Sequence, residues 1–236
     1  MDEFAQAFAA AARLIYTLNT DLLEVVGLSL QVSLAAVVIA TAIGLPLGAV
    51  IALFRFPGRN SAIVLANALM GLPPVVVGLA IYLLLSRSGP LGVFGLLYTP
   101  TAMIIAQTVL VTPIIAALSR HIIEDLWAEY ADQLRSFGAD RRAAIPTLLW
   151  DARAQLGTTL LAGFGRATAE VGAVIIVGGN IDHLTRVMTT AIALETSRGD
   201  LALALGLGFL LVLLSIVVNA TVFLVNESTA PRHSVV

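Results

Sequence analysis

The sequence predicts an all-α, polytopic helical membrane protein of about five transmembrane helices. Of 236 residues, 58% are hydrophobic and only 12% charged, against roughly a quarter charged in soluble domains. Mean hydropathy is +0.95. No carboxylate occurs between Val25 and Ile123, a distribution suited to lipid rather than water. Few polar stretches are long enough for a soluble domain, so residues 1–236 are expected to form a single transmembrane domain.

Taken in order, residues Met1 to Thr20 suggest an interfacial amphipathic helix with Phe4, Phe8, Leu14 and Ile15 on its apolar side. A bilayer core requires about 20 apolar residues as helix, and the first span meets this from about Val25 to Phe54. The second runs from about Ala62 to Leu85 and contains Pro73 and Pro74, which remove two backbone donors and should kink it. That kink either opens space near the bundle axis or serves packing alone. The third, about Thr99 to Leu118, starts with Pro100 in the first helical turn and should bend at Pro113. The fourth runs from about Leu156 to Val177 and ends at Gly178-Gly179; the fifth runs from about Leu201 to Val225.

Arginine placement sets the orientation. Arg55, Arg59, Arg120, Arg135, Arg141, Arg142, Arg153 and Arg232 share one face, expected to be cytoplasmic. The opposite face has Arg13, Arg87, Arg186 and Arg198, the last two offset by Asp182, Glu195 and Asp200. The N-terminus is then outside and the C-terminus cytoplasmic. A cleavable signal peptide is not expected, since Asp2 and Glu3 stand where a basic start would be.

Several classes of chemistry lack their residues. There is no cysteine, and all 13 basic residues are arginine, so the lysine of a phosphate-binding P-loop is missing. His121, His183 and His233 are scattered without paired-ligand spacing, so no metal site is expected; His121 with Glu124 and Asp125 fits a polar helix face. No HExxH, serine elbow or pair of intramembrane aspartates occurs, and no catalytic residue is assigned.

Charge concentrates in residues 121–153. Trp127, Tyr130, Leu134 and Phe137 follow helical spacing, and Gly138 fits a helix C-cap or tight break before Ala139 to Arg142, giving a helix, a break and a second helix. A surface hairpin held by Glu/Arg pairs reads equally well from periodicity.

Within the fourth span, Arg166 and Glu170 sit four apart, where unpaired charge costs at least a few kcal/mol. They either neutralise each other within the helix, line a translocation path, or lock it between protomers. Gly163, Gly165, Ala169, Gly172 and Ala173 allow a close helix crossing. Beyond the span, "VMTTAIALE" is too apolar for a solvated loop and suggests a short helix in the outer mouth. Thr185, Arg186, Thr189 and Thr190 are candidate donors to a passing oxyanion; a capped interfacial helix is the alternative.

The loop resembles that of ABC-importer permease subunits, which carries a Glu-Ala-Ala, Gly, Ile-x-Leu-Pro pattern and docks on the ATPase. Alignment on Gly138 puts Asp132, Gln133 and Leu134 at the Glu-Ala-Ala positions and keeps "RSFGADRR" in register, while Trp150 and Asp151 replace Leu-Pro. "LPPVVVGLAIYLLLSRSGPLG", Leu72 to Gly92, is similar to a conserved block of molybdate- and tungstate-type permeases. "GFGRATAEVGAVIIVGGNIDHLTRVMTTAIALETSRGD", Gly163 to Asp200, is similar to the tungstate permeases over nearly its whole length. With "SLQVSLAAVVIATAIGLPLG", Ser29 to Gly48, the resemblance covers most of the chain.

The resemblance implies a type I ABC importer permease carrying tungstate or a related tetrahedral oxyanion by alternating access, in the plasma membrane (the inner membrane of a bacterium). It implies a homodimer, two copies of a cytoplasmic ATPase and an extracytoplasmic oxyanion-binding protein, with no nucleic acid. No cofactor is expected in this chain; ATP and Mg would be bound by the ATPase. The implied ATPase-coupling residues are Asp132, Leu134, Arg135, Phe137, Gly138, Ala139, Asp140, Arg141 and Arg142. The candidate pathway or gate residues are Pro73, Pro74, Arg166, Glu170, Thr185, Arg186, Thr189 and Thr190. Rival readings change the cargo to molybdate or sulfate, or replace transport with an intramembrane enzyme or a scaffold that recruits an ATPase.

Overall fold

The computed structural model describes residues 20–229. The amphipathic helix expected up to Thr20 therefore lies outside the described residues, apart from Thr20 itself, as do Arg13, Arg232 and His233. The elements are α1 (Thr20–Leu53), α2 (Arg59–Leu69), α3 (Pro74–Leu85), a 3-10 turn (Gly92–Phe94), α4 (Pro100–Ser136), α5 (Arg141–Asp151), α6 (Arg153–Thr168), α7 (Gly172–Gly178), α8 (Met188–Arg198) and α9 (Leu201–Thr229). No strand occurs among the described residues. The all-α membrane class follows: α1, α4 and α9 are each long and apolar enough to cross a bilayer, and the pairs α2/α3 and α6/α7 bring the crossings to five if each counts as one.

Those two pairs replace the kinked second span and the continuous fourth span that were expected. The α2 and α3 axes differ by 102°. Pro73 is the extended N-cap of α3, at φ −66° and ψ 120°, and Pro74 is its first residue. A residue preceding proline is pushed out of the α region, and Leu72 and Pro73 both precede one. Two such restrictions in succession end a helix, where one proline only removes a hydrogen bond. Pro113 illustrates the milder case, lying inside α4 without interrupting it.

A second break separates α6 from α7, at 57°, across Ala169 to Val171. Glu170 is thus in a break rather than on the face of a continuous helix.

The helix that carries the third span continues unbroken into residues 121–136. α4 has 37 residues, about 55 Å at about 1.5 Å each, roughly 25 Å longer than a hydrocarbon core. Trp127, Tyr130 and Leu134 belong to this same helix. It ends at Phe137, and Gly138 supplies the left-handed φ of +76° that turns the chain toward α5.

The bundle is organised around α1 lying along α4. Gly44 and Gly48 make that approach possible: a Cβ on Gly48 would stand 2.1 Å from Ser119 Oγ and 2.7 Å from the Ala116 carbonyl. α6 joins through Phe164 and Ala167, packed with Val37, Ala40, Val111 and Ile115. At the cytoplasmic end by the arginine count, Leu53, Ile123, Leu126, Ala144, Leu148, Ala152 and Leu156 form a separate buried cluster.

Candidate functional site

Two assemblies carry most of the candidate residues. The first surrounds the α6/α7 break. Glu170 is only 2% exposed. Its Oε2 accepts from Arg166 Nη1 at 2.5 Å, and its Oε1 accepts from the Ala173 amide at 2.9 Å. One carboxylate thus closes α6 with an ion pair and supplies an acceptor to an amide at the start of α7, which is how a charge survives at this depth. The Arg166 side chain remains 29% exposed. The Gln107 amide, from α4, donates to the Ala167 carbonyl at 3.1 Å, and Thr189 Oγ1, from α8, donates to the Glu170 carbonyl at 2.9 Å.

The Pro73-Pro74 corner lies against the same break. A Cβ on Gly172 would sit 3.0 Å from Val75 Cγ2, and one on Gly78 would come within 2.7 Å of the Ala173 Cα. Of the small residues expected to form a crossing, Gly163 meets Val111 and Ile115 of α4 and Ala173 meets α3, whereas Gly165 faces open space.

Thr185, Thr189, Thr190 and Arg186, the candidate donors to a passing oxyanion, are engaged within the protein. Thr185 is fully buried; its hydroxyl donates to the Gly178 carbonyl at 2.6 Å and accepts from the Ile181 amide at 3.0 Å. Thr190 Oγ1 accepts from the Val187 amide at 3.1 Å, and Thr189 is engaged with Glu170 as above. Arg186 pairs with Asp182 at 2.6 Å. The cause is backbone geometry. Asn180 and His183 take left-handed φ values of +50° and +54°, and the tight loop leaves amides and carbonyls that these hydroxyls satisfy. The short helix expected here is α8. Its outer side borders a cavity of about 230 Å³ lined by Asp21, Glu24, Asp182, His183, Arg186 and Glu195, among others. His183 Nδ1 lies 2.8 Å from Glu24 Oε2; the hydrogen bond to Glu24, with the charge of Asp182 behind it, raises the imidazole pKa above its usual value.

The second assembly is residues 121–153. Asp140 caps α5 by accepting from the Ala143 amide at 2.8 Å. Ala144, Leu148 and Ala152 recur every four residues and are buried, while Leu134 is partly buried against the same cluster. Facing away are Phe137, at 86% exposure, and Trp150, at 73%. Arg142 is exposed, and Asp132 and Arg135 form an exposed pair at 3.3 Å. Arg135 also lies over the Trp127 ring at 5.6 Å, and Arg153 over Trp150 at 5.3 Å. Arg141, also among the expected coupling residues, donates to the Leu53 carbonyl of α1 at 2.8 Å.

His121 and Asp125 are exposed, as a polar helix face requires, but Glu124 belongs to a partly buried ion network that this reading missed. Glu124 turns inward to pair with Arg59 of α2 and with Arg120 at 2.5 Å. Arg120 is only 5% exposed. The available signals were the i, i+4 spacing of Arg120 and Glu124 and the position of Glu124 as the first carboxylate after the barren stretch.

Bent pairs of apolar helices packed at their breaks, beside a charged segment with exposed Phe137 and Trp150, define a polytopic helical membrane protein. No protein-family model matches the chain. It is 38% identical over 227 residues to the tungstate uptake system permease protein of Peptoclostridium acidaminophilum, covering 96% of this chain and 100% of that one. A probable anion ABC transporter permease of Haloferax volcanii is 39% identical over 91% of this chain and 94% of its own. The tungstate uptake system permease protein of Campylobacter jejuni is 34% identical over 93% and 92%. Sulfate transport permeases are more distant, at 28% identity or below. The chain belongs to the ABC transporter permease family, within its anion-transporting branch.

Proposed function

We propose that this chain is the membrane-spanning permease subunit of an ATP-driven importer for a tetrahedral oxyanion, with tungstate as cargo. The observation that carries the cargo is near-full-length identity of 34–38% to two permeases named for tungstate uptake. The chain forms one permease domain that dimerises with a second copy in the plasma membrane, N-terminus outside. Two cytoplasmic ATPase subunits hold ATP and Mg, and an extracytoplasmic protein delivers the anion.

Residues 121–153 are the docking segment. Exposed Phe137, on a frame fixed by Gly138 and the Asp140 cap, supports an apolar contact with the ATPase, with Asp132, Arg135 and Arg142 around it. Ala139 and Leu134 hold the frame to α4. The pathway reading centres on the double break: Pro73-Pro74 and Arg166–Glu170 mark where rigid pieces reorient between inward-open and outward-open states. Thr189 connects that break to α8, while Thr185, Arg186 and Thr190 shape the loop holding α8 as an outer gate.

The test is ATPase activity and anion uptake of the reconstituted complex in liposomes, with its binding protein loaded with tungstate, molybdate or sulfate in turn. Stimulation by the tungstate-loaded protein with matching uptake is expected. Stimulation only by another oxyanion would reassign the cargo, and no stimulation by any would remove the importer reading.

A further inference from the structure

The cytoplasmic end of α1 is completed by side chains from elsewhere in the chain. A helix leaves its last carbonyls without amide partners. For Leu53 continuation would not help, because the residue four positions on is Pro57, which has no N–H. Arg141 of α5 supplies that donor at 2.8 Å. Arg59 of α2 supplies the Ile51 carbonyl at 2.8 Å and reaches the Ala52 carbonyl at 3.5 Å, while its guanidinium also pairs with Glu124. Cationic donors at a helix C-terminus also meet the negative end of its dipole. Apolar contact adds to this hold, since Ala144 and Leu148 of α5 are buried in one cluster with Leu53.

α1 is a single helix of 34 residues. Its middle is locked to α4 at Gly44 and Gly48, and Val37 and Ala40 pack in one cluster with Phe164 and Ala167 of α6. Ala167 is also the residue whose carbonyl receives the Gln107 amide beside the Glu170 break. A continuous helix, with Pro46 inside it, therefore runs from beside residues 121–153 to the packing around the break.

We infer that Arg141 is a positioning residue that transmits displacement of the docking segment into α1, rather than a contact to the ATPase. The inference rests on reading residues 121–153 as the docking segment. Its test is the ratio of tungstate uptake to ATP hydrolysis in the reconstituted complex. A loss of stability lowers uptake and hydrolysis together; a loss of transmission lowers the ratio. Arg141→Ala is expected to leave co-purification of the ATPase and its basal hydrolysis within about twofold of wild type, while the ratio falls by at least about fivefold. Arg141→Lys, which keeps the charge and a flexible donor, is expected to recover the ratio to within about twofold of wild type.

An unchanged ratio in Arg141→Ala overturns the inference, as does loss of the bound ATPase, which would place Arg141 on the docking face. Should Arg141→Ala fail to insert, Arg141→Gln, shorter and uncharged, decides by the same ratio. Phe137→Asp serves as the separate control: if it leaves ATPase binding and uptake intact, the docking reading itself fails, whatever Arg141 does.

Discussion

The two charged assemblies solve one problem, placing ions beside apolar helices, in opposite ways. At the α6/α7 break a single arginine and a single carboxylate, four residues apart, satisfy each other and a nearby amide. Where α1 ends, Glu124 is shared by two arginines, and two guanidiniums reach the backbone of a different helix. The charges at the break pair locally, with Gln107 and Thr189 holding only its carbonyls; the charges at the end of α1 tie α1, α2, α4 and α5 together. Local charge pairing permits a hinge, whereas distributed pairing makes a clamp.

The sharpest way to break this contrast is to remove the carboxylate at the hinge. Glu170→Ala leaves Arg166 largely desolvated without its partner and should destabilise the folded protein by about 3–5 kcal/mol. Thermal unfolding in nanodiscs would detect this, and pairing it with Arg166→Met in a double-mutant cycle should recover part of the loss. If Glu170→Ala unfolds like wild type, the pair is not what holds the break.

A smaller effect is expected from Gly48→Ala. Its new methyl would overlap Ser119 Oγ and the Ala116 carbonyl, forcing α1 away from α4 at a cost of about 1–3 kcal/mol. The same unfolding measurement checks it, and a neutral result would show that α1 and α4 separate easily.

Phe137→Asp should change folded stability by no more than about 0.5 kcal/mol, because its side chain is already solvated. Recovery of the ATPase with the purified permease should nevertheless collapse. Equal loss of stability and binding would mean that Phe137 is part of the packed frame.

The smallest expected effect is on the outer face. Because the folded-state pKa of His183 is raised by Glu24 and Asp182, its stabilising contribution is fully present below the ordinary histidine value and is lost as pH rises through the raised one. His183→Ala should therefore lower the unfolding midpoint slightly at acidic pH and leave it unchanged at alkaline pH. A difference that grows toward alkaline pH would contradict the pairing.

Much of the architecture was legible from sequence because lipid imposes a simple requirement on composition. The apolar runs located the three continuous candidate spans and the two bent pairs, the apolar and hydroxyl-rich "VMTTAIALE" announced α8, and Gly138 marked the turn after α4. Hydropathy did not separate a bent span from a broken one, because both halves of each broken span are apolar; two consecutive prolines decided the first break. Hydropathy reports where lipid stops rather than where hydrogen bonding stops, so the helix end at Gly138 was legible from helical spacing and a glycine and not from the apolar run. Arg59, Arg120 and Arg141 were counted correctly as belonging to one face, but their side chains turn inward. A long guanidinium arm reaches either water or a neighbouring carbonyl from the same backbone position, so only the three-dimensional arrangement of acceptors decides. For Thr185 and Thr190 the deciding feature was likewise local backbone geometry, the left-handed residues Asn180 and His183.

The two broken spans meet with α3 against α7, so this part of the bundle is built from helix ends as well as helix flanks. A continuous helix resists sharp bending because each turn is stitched to the next by backbone hydrogen bonds. Along a seam of ends those stitches are already absent, and short rods can swivel about their junctions while every internal turn stays intact. Reshaping there would exchange a few side-chain contacts and leave the secondary structure whole.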